Sequence, residues 1–292
     1  MQIRAGFTLT YDCPKPTPML LTLNIHPSRV PDLSTPQLLT YSPRVETWDY
    51  TDGFGNICTR LTAPAGPFVI STEFEIRDSG LPDEVVTDAV QHDIRDLPDD
   101  VLVYLLGSRY CETDLLSNIA WTLFEYTPPG WPRVQAILDW VHNHIRFDYM
   151  RADATRTAHG AYIGQVGVCR DYTHLAIAFC RCMNIPARYC TGYLGDIGNV
   201  PVPGPMDFSA WLCCPRPPGP TDNPRRAAVT STTGACGGGV FHQDPMPLRC
   251  TPKTPVAGRG LPLRRRRQRC RRGGKPRPAT GVFGVHRRGM GS

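Results

Sequence analysis

The chain has 292 residues, of which 41% are hydrophobic, and a formal net charge of +6. This length suits one large domain or two modest ones, and no apolar run approaches the length of a membrane span. The first residues, MQIRAGF, contain no apolar signal core. We therefore expect a cytoplasmic protein without a membrane partner.

The charge is distributed unevenly along the chain. Residues 213–292 contain 17 of the 32 lysines and arginines but only two acidic residues, Asp222 and Asp244. The same segment is rich in proline and glycine and has two aromatic residues. Such a composition cannot bury enough apolar surface to offset the entropy of ordering. We expect residues 213–292 to form a disordered basic tail and residues 1–212 to hold the folded protein.

The first 95 residues have the pattern of an antiparallel β domain. Residues 3–11, 20–26 and 67–77 alternate between apolar and polar side chains, as strands with one buried face do. The glycines within residues 52–56 predict a turn between two strands. We therefore expect residues 1–95 to form an N-terminal antiparallel β-sandwich.

The following residues, 96–212, change to helical spacing. Apolar residues recur at helical intervals over 101–106, 114–124 and 132–145. A fourth helix is predicted from Cys169 to about Asn184, where a proline two residues later ends it. Strands are expected at 187–194 and from residue 206. The predicted fold class is α+β.

Cys169 lies in the most informative local pattern. The segment 167–172 reads GVCRDY and is followed by an amphipathic run, which predicts a thiol in the first turn of a helix. There the exposed N–H groups and the helix dipole stabilise a thiolate, the nucleophile that acyl-transfer chemistry requires. The alternative is a small buried structural cysteine, which is the usual fate of a free thiol.

The other cysteines do not form a recognisable framework. Their spacings are irregular, and the chain is far longer than the small secreted domains that depend on disulfides. Cys180 and Cys182 are close in sequence, but no second close pair in residues 1–212 completes a zinc site. We expect no metal and no cofactor.

Three motifs occur in order: GVCRDY at 167–172, NIPARYCTGY at 184–193 and MDFSAW at 206–211. Together they resemble the bacterial form of the transglutaminase-like superfamily, in which a cysteine opens a helix and is followed by an NIPAR-type strand and an H-A-W strand. The resemblance covers about residues 1–211 and includes the bacterial N-terminal β region. It implies a papain-like core in which the nucleophile helix packs on an antiparallel sheet.

The resemblance also implies a mechanism. A cysteine attacks a carboxamide or peptide bond of a protein or peptide substrate, a histidine moves the proton, and a carboxylate orients the imidazole. Cys169 matches the nucleophile, but Ser209 stands where the family has the histidine. A serine hydroxyl cannot act as a general base near neutral pH. The aspartate strand that should follow has no counterpart, because the proline-rich residues after Trp211 cannot continue a sheet.

Four further residues are candidates for supporting roles. Asp171 is expected to support the helix N-terminus, where carboxylates are favoured. Trp211 would shield the thiolate or position substrate, or would simply be a core aromatic residue. His159, placed in the loop before Cys169, would approach the thiol. His174 lies on a different face of the helix from Cys169, and packing against the sheet is the favoured role.

Three classes of function remain open. The first is a cysteine acyl transferase, amidohydrolase or protease that uses Cys169. The second is a catalytically inactive binding module, since Ser209 replaces the histidine. The third is a nucleic-acid binder that uses the arginine run at 264–272, although no neighbouring aromatic residue could stack on bases, so no specific nucleic-acid partner is expected.

The pattern of the sequence breaks abruptly after Leu212. Periodicity, acidic residues and most aromatic residues disappear at one point, which predicts a C-terminal part that is frameshifted or truncated relative to the family. Translating the other two reading frames after codon 211 tests this hypothesis. Absence of an aromatic, aspartate-containing strand pair from both frames would contradict it.

Overall fold

The computed structural model describes residues 2–78, 87–193 and 208–214, together with the backbone of residues 280–287. Its N-terminal part contains strands β1 (Gln2–Cys13), β2 (Thr17–Leu21), β3 (Thr40–Ser42), β4 (Thr47–Thr51), β5 (Ile57–Ala63) and β6 (Gly66–Arg77). These strands form two antiparallel sheets. One has the order β2-β5-β4, and the other contains β1, β6 and β3 as neighbours in that order.

The two N-terminal sheets share one apolar core. Ile3, Ala5 and Phe7 of β1 are buried at alternating positions, as the predicted two-residue period requires. Leu21 of β2 and Leu61 of β5 belong to the same buried cluster, so both sheets contribute to it. The predicted strand at 20–26 is shorter than expected and displaced. β2 ends at Leu21, and the 3-10 helix Pro27–Asp32 follows because two prolines fix its backbone.

The second part of the chain is built around one buried helix. The 3-10 helix Asp99–Leu105 replaces the helix expected at 101–106. The elements that follow are α1 (Thr113–Phe124), α2 (Trp131–His144), β7 (Arg146–Phe147), α3 (Ala158–Gly164), β8 (Val166–Gly167), α4 (Cys169–Cys182), β9 (Arg188–Gly192) and β10 (Ser209–Cys213). Helix α4 is buried from Asp171 to Cys180. It packs against α1, α2 and α3 and against the antiparallel pair β9–β10. The predicted α+β class is confirmed.

The two parts of the chain meet at the ends of β9 and β10. Tyr193 follows β9 and Phe208 precedes β10, yet both pack in the N-terminal apolar core. The rings of Phe7 and Phe208 are 5.5 Å apart, and those of Phe74 and Tyr193 are 5.6 Å apart. The strand pair beside α4 is therefore anchored in the β domain.

A further strand lies within the segment that was expected to be disordered. Strand β11 (Thr280–Arg287) pairs antiparallel with β1, with Ile3 opposite Arg287 and Thr10 opposite Thr280. Its sequence, TGVFGVHR, contains the β-branched and aromatic residues that favour strands, which an average over the whole tail conceals. The predicted disorder of residues 215–279 falls outside the described residues. In the part of the chain that the structure describes, no helix is long and apolar enough to cross a membrane.

Arg133 is a buried cation that joins several elements. It is 9% exposed, and its guanidinium donates to the Thr127 carbonyl at 2.8 Å and to the Gln91 side chain at 3.1 Å. Gln91 in turn donates to the Met183 carbonyl at 2.8 Å, immediately after α4. Arg133 therefore ties the end of α1 to the end of α4.

We expect Arg133→Met to lower the free energy of unfolding by about 1–3 kcal/mol, because it leaves buried carbonyl acceptors unpaired. Urea denaturation measures the change. Arg95→Met is the matched control, since the Arg95 side chain is 86% exposed and should tolerate the same replacement. Equal denaturation midpoints for the two variants would contradict the role of Arg133.

Candidate active site

Cys169 is the first residue of α4, and its side chain is half-buried. The preceding residue, Val168, has extended backbone, so the chain turns into the helix directly at the thiol. This is the position in which the helix dipole favours a thiolate. The local placement therefore agrees with the pattern of the sequence.

Asp171 is fully buried two residues after Cys169. Its Oδ2 accepts a hydrogen bond from the Val168 backbone N–H at 2.8 Å and one from Arg156 Nη1 at 3.1 Å. Arg156 Nη1 also donates to the Val166 carbonyl at 2.9 Å. Asp171 therefore accepts a hydrogen bond from the residue that precedes α4. It does so from the interior, as the centre of a network that reaches the segment before the thiol.

The segment 153–156 also contacts Arg170, the residue that follows Cys169. Arg170 donates a hydrogen bond from Nη2 to the Asp153 carbonyl, and the same nitrogen lies 3.5 Å from Asp171 Oδ1. One short loop therefore contacts both Arg170 and Asp171. The sequence did not indicate Arg156 as a site residue, because an arginine in a loop 15 positions from its partner carries no periodic signal.

His174 lies on α4 between two tyrosine rings. It is 7% exposed, and its ring is 5.2 Å from that of Tyr110 and 5.0 Å from that of Tyr189. Its Nδ1 is buried without a hydrogen-bond partner. Burial, followed by the charges of Arg170 and Arg181, lowers the pKa of His174 to about 4. The imidazole is therefore neutral near pH 7.

Tyr189 connects His174 with the neighbourhood of the thiol. The ring of this β9 residue lies 5.0 Å from that of His174 at an interplanar angle of 40°, and burial raises the pKa of its phenol, with the charge of Cys169 as the next cause. A tyrosine of strand β9 therefore contacts the buried imidazole and is influenced by the charge of Cys169. The motif at 184–193 contains Tyr189, but its spacing alone did not indicate this contact.

The lowered pKa of His174 predicts a pH-dependent stability. Above about pH 6.5 the side chain is neutral in both the folded and the unfolded chain. At lower pH the unfolded chain binds a proton that the folded chain does not. Stability should therefore fall by about 3 kcal/mol as the pH decreases from about 6.5 to about 4.

His174→Phe keeps an aromatic ring between the tyrosines and removes the ionisable group. We expect urea denaturation of this variant to show a weaker loss of stability between about pH 6.5 and about pH 4 than the parent chain shows. His92→Gln is the control, since His92 is exposed and its replacement should leave the dependence intact. An unchanged pH dependence in His174→Phe would contradict the assignment.

Ser209 and Trp211 lie on β10, which packs against α4. Ser209 is opposite Gly192, and its carbonyl accepts a hydrogen bond from Thr191 Oγ1 at 3.0 Å. Trp211 is opposite Cys190 and half-buried, and its Nε1 is buried without a hydrogen-bond partner. Ser209, which the motif resemblance aligns with the histidine of the family, is therefore placed on a strand that packs against α4.

The structure corrects two expectations near the site. The strand was expected to end after Trp211, but β10 continues to Cys213, since the first proline comes only at position 215. His159 was placed in a loop, but it is the second residue of α3, whose first turn is capped by the Thr157 side chain. The His159 N–H donates to Glu112 Oε2 at 3.0 Å.

The nine described cysteines are all reduced thiols. Cys180 is fully buried, and a hydrogen bond with Cys214, followed by burial, raises the pKa of its thiol. Burial raises the pKa of Cys182 to about 11. Within the described residues, no group of three or more histidine, cysteine or acidic side chains is arranged to hold a metal ion.

A half-buried cysteine that opens a buried helix packed on an antiparallel strand pair defines the papain-like class of cysteine enzyme folds. Residues 123–236 match the family model described as the Transglutaminase-like superfamily. This part of the chain is therefore similar to the transglutaminase-like superfamily, as the three motifs indicated. No curated protein matches the chain.

Two solved structures are similar to this chain to different degrees. The crystal structure of a candidate cysteine protease from Cytophaga hutchinsonii is 27% identical, with a TM-score of 0.61, and the similarity covers 73% of this chain and 72% of that one. The periplasmic domain of TgpA from Pseudomonas aeruginosa, crystallised with ethylmercury, is 14% identical with a TM-score of 0.35 over 79% of this chain and 87% of that one. The first of these structures supports a cysteine-based, enzyme-like fold for this chain.

Proposed function

We propose that this chain is a cysteine acyl transferase, amidohydrolase or protease whose nucleophile is Cys169 and whose substrate is a carboxamide or peptide bond of a protein or peptide. The observation that carries the proposal is the position of Cys169, half-buried at the first residue of a buried helix in a transglutaminase-like core. The 27% identity to the candidate cysteine protease supports the same chemistry.

The proposed reaction has two steps. The Cys169 thiolate attacks the carbonyl carbon, the C–N bond breaks, and the amine leaves with a proton while a thioester forms. An amine or water then attacks the thioester, which releases the acyl group and restores the thiol. Both steps move a proton, and Ser209 cannot supply the base that the family's histidine provides. The uncatalysed proton transfer is therefore the slow part of the reaction.

The serine at position 209 favours a second candidate. A chain that keeps the cleft but lacks the base would bind a protein or peptide segment without turning it over. The two candidates differ in the reactivity of Cys169, because an enzyme of this kind needs an activated thiolate and a binding module does not.

Alkylation by iodoacetamide across a pH series distinguishes the two candidates. We expect Cys169 to alkylate rapidly near pH 6, because a helix N-terminus lowers the pKa of a thiol. Cys180 and Cys182 should stay unmodified, since burial and the raised pKa of each keep them protonated. Peptide mapping by mass spectrometry assigns the site, and Cys169→Ser is the control. Reaction of Cys169 no faster than a free thiol would favour the binding module.

A further inference from the structure

The loop that leads into Cys169 is held by a buried ion pair whose geometry leaves room for nothing larger than glycine at position 167. Asp171 is fully buried, and Arg156 is 16% exposed at its side chain. Burying a charged pair is costly unless its geometry is good and its remaining hydrogen bonds are satisfied. Such a pair one turn from the nucleophile therefore calls for an explanation.

The pair contacts the backbone at two points on either side of Gly167. Asp171 Oδ2 accepts from the Val168 N–H at 2.8 Å, and Arg156 Nη1 donates to the Val166 carbonyl at 2.9 Å. The two side chains also bond to each other at 3.1 Å. Three consecutive residues before Cys169 are thus fixed by one carboxylate and one guanidinium.

Gly167 completes the arrangement by its lack of a side chain. A Cβ atom at this position would lie 2.4 Å from Asp171 Oδ2 and 2.6 Å from Asp171 Cβ. These distances are far below van der Waals contact, so the fully buried carboxylate or the backbone would have to shift. Gly164, three residues earlier, differs, since a Cβ there would meet no atom within 4 Å.

We propose that Arg156 and Asp171, packed against Gly167, form a positioning clamp that fixes the segment Val166–Val168 and thereby sets the position of the Cys169 thiol at the first turn of α4. Neither side chain is a catalytic residue in this proposal. The proposal rests on Cys169 as the nucleophile, but it concerns the residues that hold the thiol rather than those that react.

The clamp is tested with Gly167→Ala, which changes no charge among Arg156, Arg170, Asp171 and Tyr189, so that any effect reports geometry. We expect it to displace the carboxylate, to remove the hydrogen-exchange protection of the Val168 amide, and to slow Cys169 alkylation about tenfold at a pH well below the pKa of the thiol, where a one-unit rise in that pKa lowers the thiolate fraction tenfold. Gly164→Ala is the matched control and should change neither quantity.

A double-mutant cycle shows whether the effect passes through Asp171. In an Asp171→Gly background the three side-chain atoms that the added Cβ would meet, including the Cβ of residue 171, are absent, so adding Gly167→Ala should cause no further loss. A loss equal to that in the parent chain would overturn the proposal. The same would follow if Gly167→Ala folded with the parent's Val168 protection and alkylation profile, or if it lost the protection without any change in alkylation.

If Gly167→Ala does not fold, Arg156→Gln replaces it as the variant that weakens the clamp. Arg156→Lys keeps the charge and should therefore retain part of the hydrogen-exchange protection of Val168 that Arg156→Gln loses. The control is Arg29→Gln, which breaks an ion pair of similar burial with Asp78 in the β domain and should leave Cys169 unaffected. A parent chain whose Cys169 behaves as a free thiol would contradict the proposed function. The hydrogen-exchange protection of the Val168 amide in these variants would then show separately whether the clamp fixes the segment Val166–Val168.

Discussion

Replacing Ser209 with histidine is expected to raise Cys169-dependent cleavage of a peptide amide by about a hundredfold, the lower end of what a positioned general base contributes. Ser209 lies on β10, which packs against α4, and the resemblance of the MDFSAW motif to the family motif aligns it with the histidine of that motif. An imidazole has a pKa near 6.5 and can accept the thiol proton at neutral pH, which a hydroxyl cannot do.

The measurement is the rate of amine release from a peptide anilide and of ammonia release from a glutamine-containing peptide. Ser209→Ala is the matched control, because it alters the same position without adding a base. The double variant Cys169→Ser, Ser209→His should be inactive. If Ser209→His folds and is no faster than Ser209→Ala on either substrate, the assignment of position 209 as the vacant base is wrong.

Phe179→Ala is expected to lower the free energy of unfolding by about 3–5 kcal/mol, the usual cost of deleting a buried phenylalanine ring. Phe179 of α4 is fully buried. Its ring lies 5.4 Å from those of Phe124 on α1 and Trp140 on α2, and 6.5 Å from that of Tyr162 on α3. One side chain therefore joins all three helices to the helix that carries Cys169.

Urea denaturation with a fluorescence readout measures this loss. Phe54→Ala is the matched control, because the Phe54 side chain is 53% exposed at a hairpin turn and contacts Tyr104 alone among the ring pairs of the described residues. It should change stability far less. A loss below about 1 kcal/mol for Phe179→Ala would show that the core around α4 relaxes into the cavity, contrary to the packing described.

The elements with long and regular periodicity could be predicted from the sequence. Strands β1 and β6, helices α1 and α2 and the start of α4 at Cys169 agree with the expected positions to within a few residues. In each helix buried residues recur on one face over more than two turns, and in β1 and β6 they recur at every second position over most of the strand, so the pattern reflects the packing directly.

The features that the sequence did not reveal depend on contacts between distant residues. The bond between Arg156 and Asp171 spans 15 positions, and the seven-residue helix α3 is too short for a periodic signal. Strand β11 is embedded in a basic segment whose average composition predicts disorder. The role of Gly167 was hidden for a different reason, since a glycine before a helix suggests a turn, whereas here it makes room for a buried carboxylate.

Trapping of an acyl-enzyme tests the central claim most directly. An activated peptide ester needs no general base to acylate a thiolate, so the serine at position 209 does not obscure the result. Incubation of the full chain with such an ester, followed by intact-mass measurement and peptide mapping, should show one acyl group on Cys169 and none in Cys169→Ser. Acylation spread over Cys190 and Cys214, or no acylation of Cys169 in a folded chain, would contradict its assignment as the nucleophile.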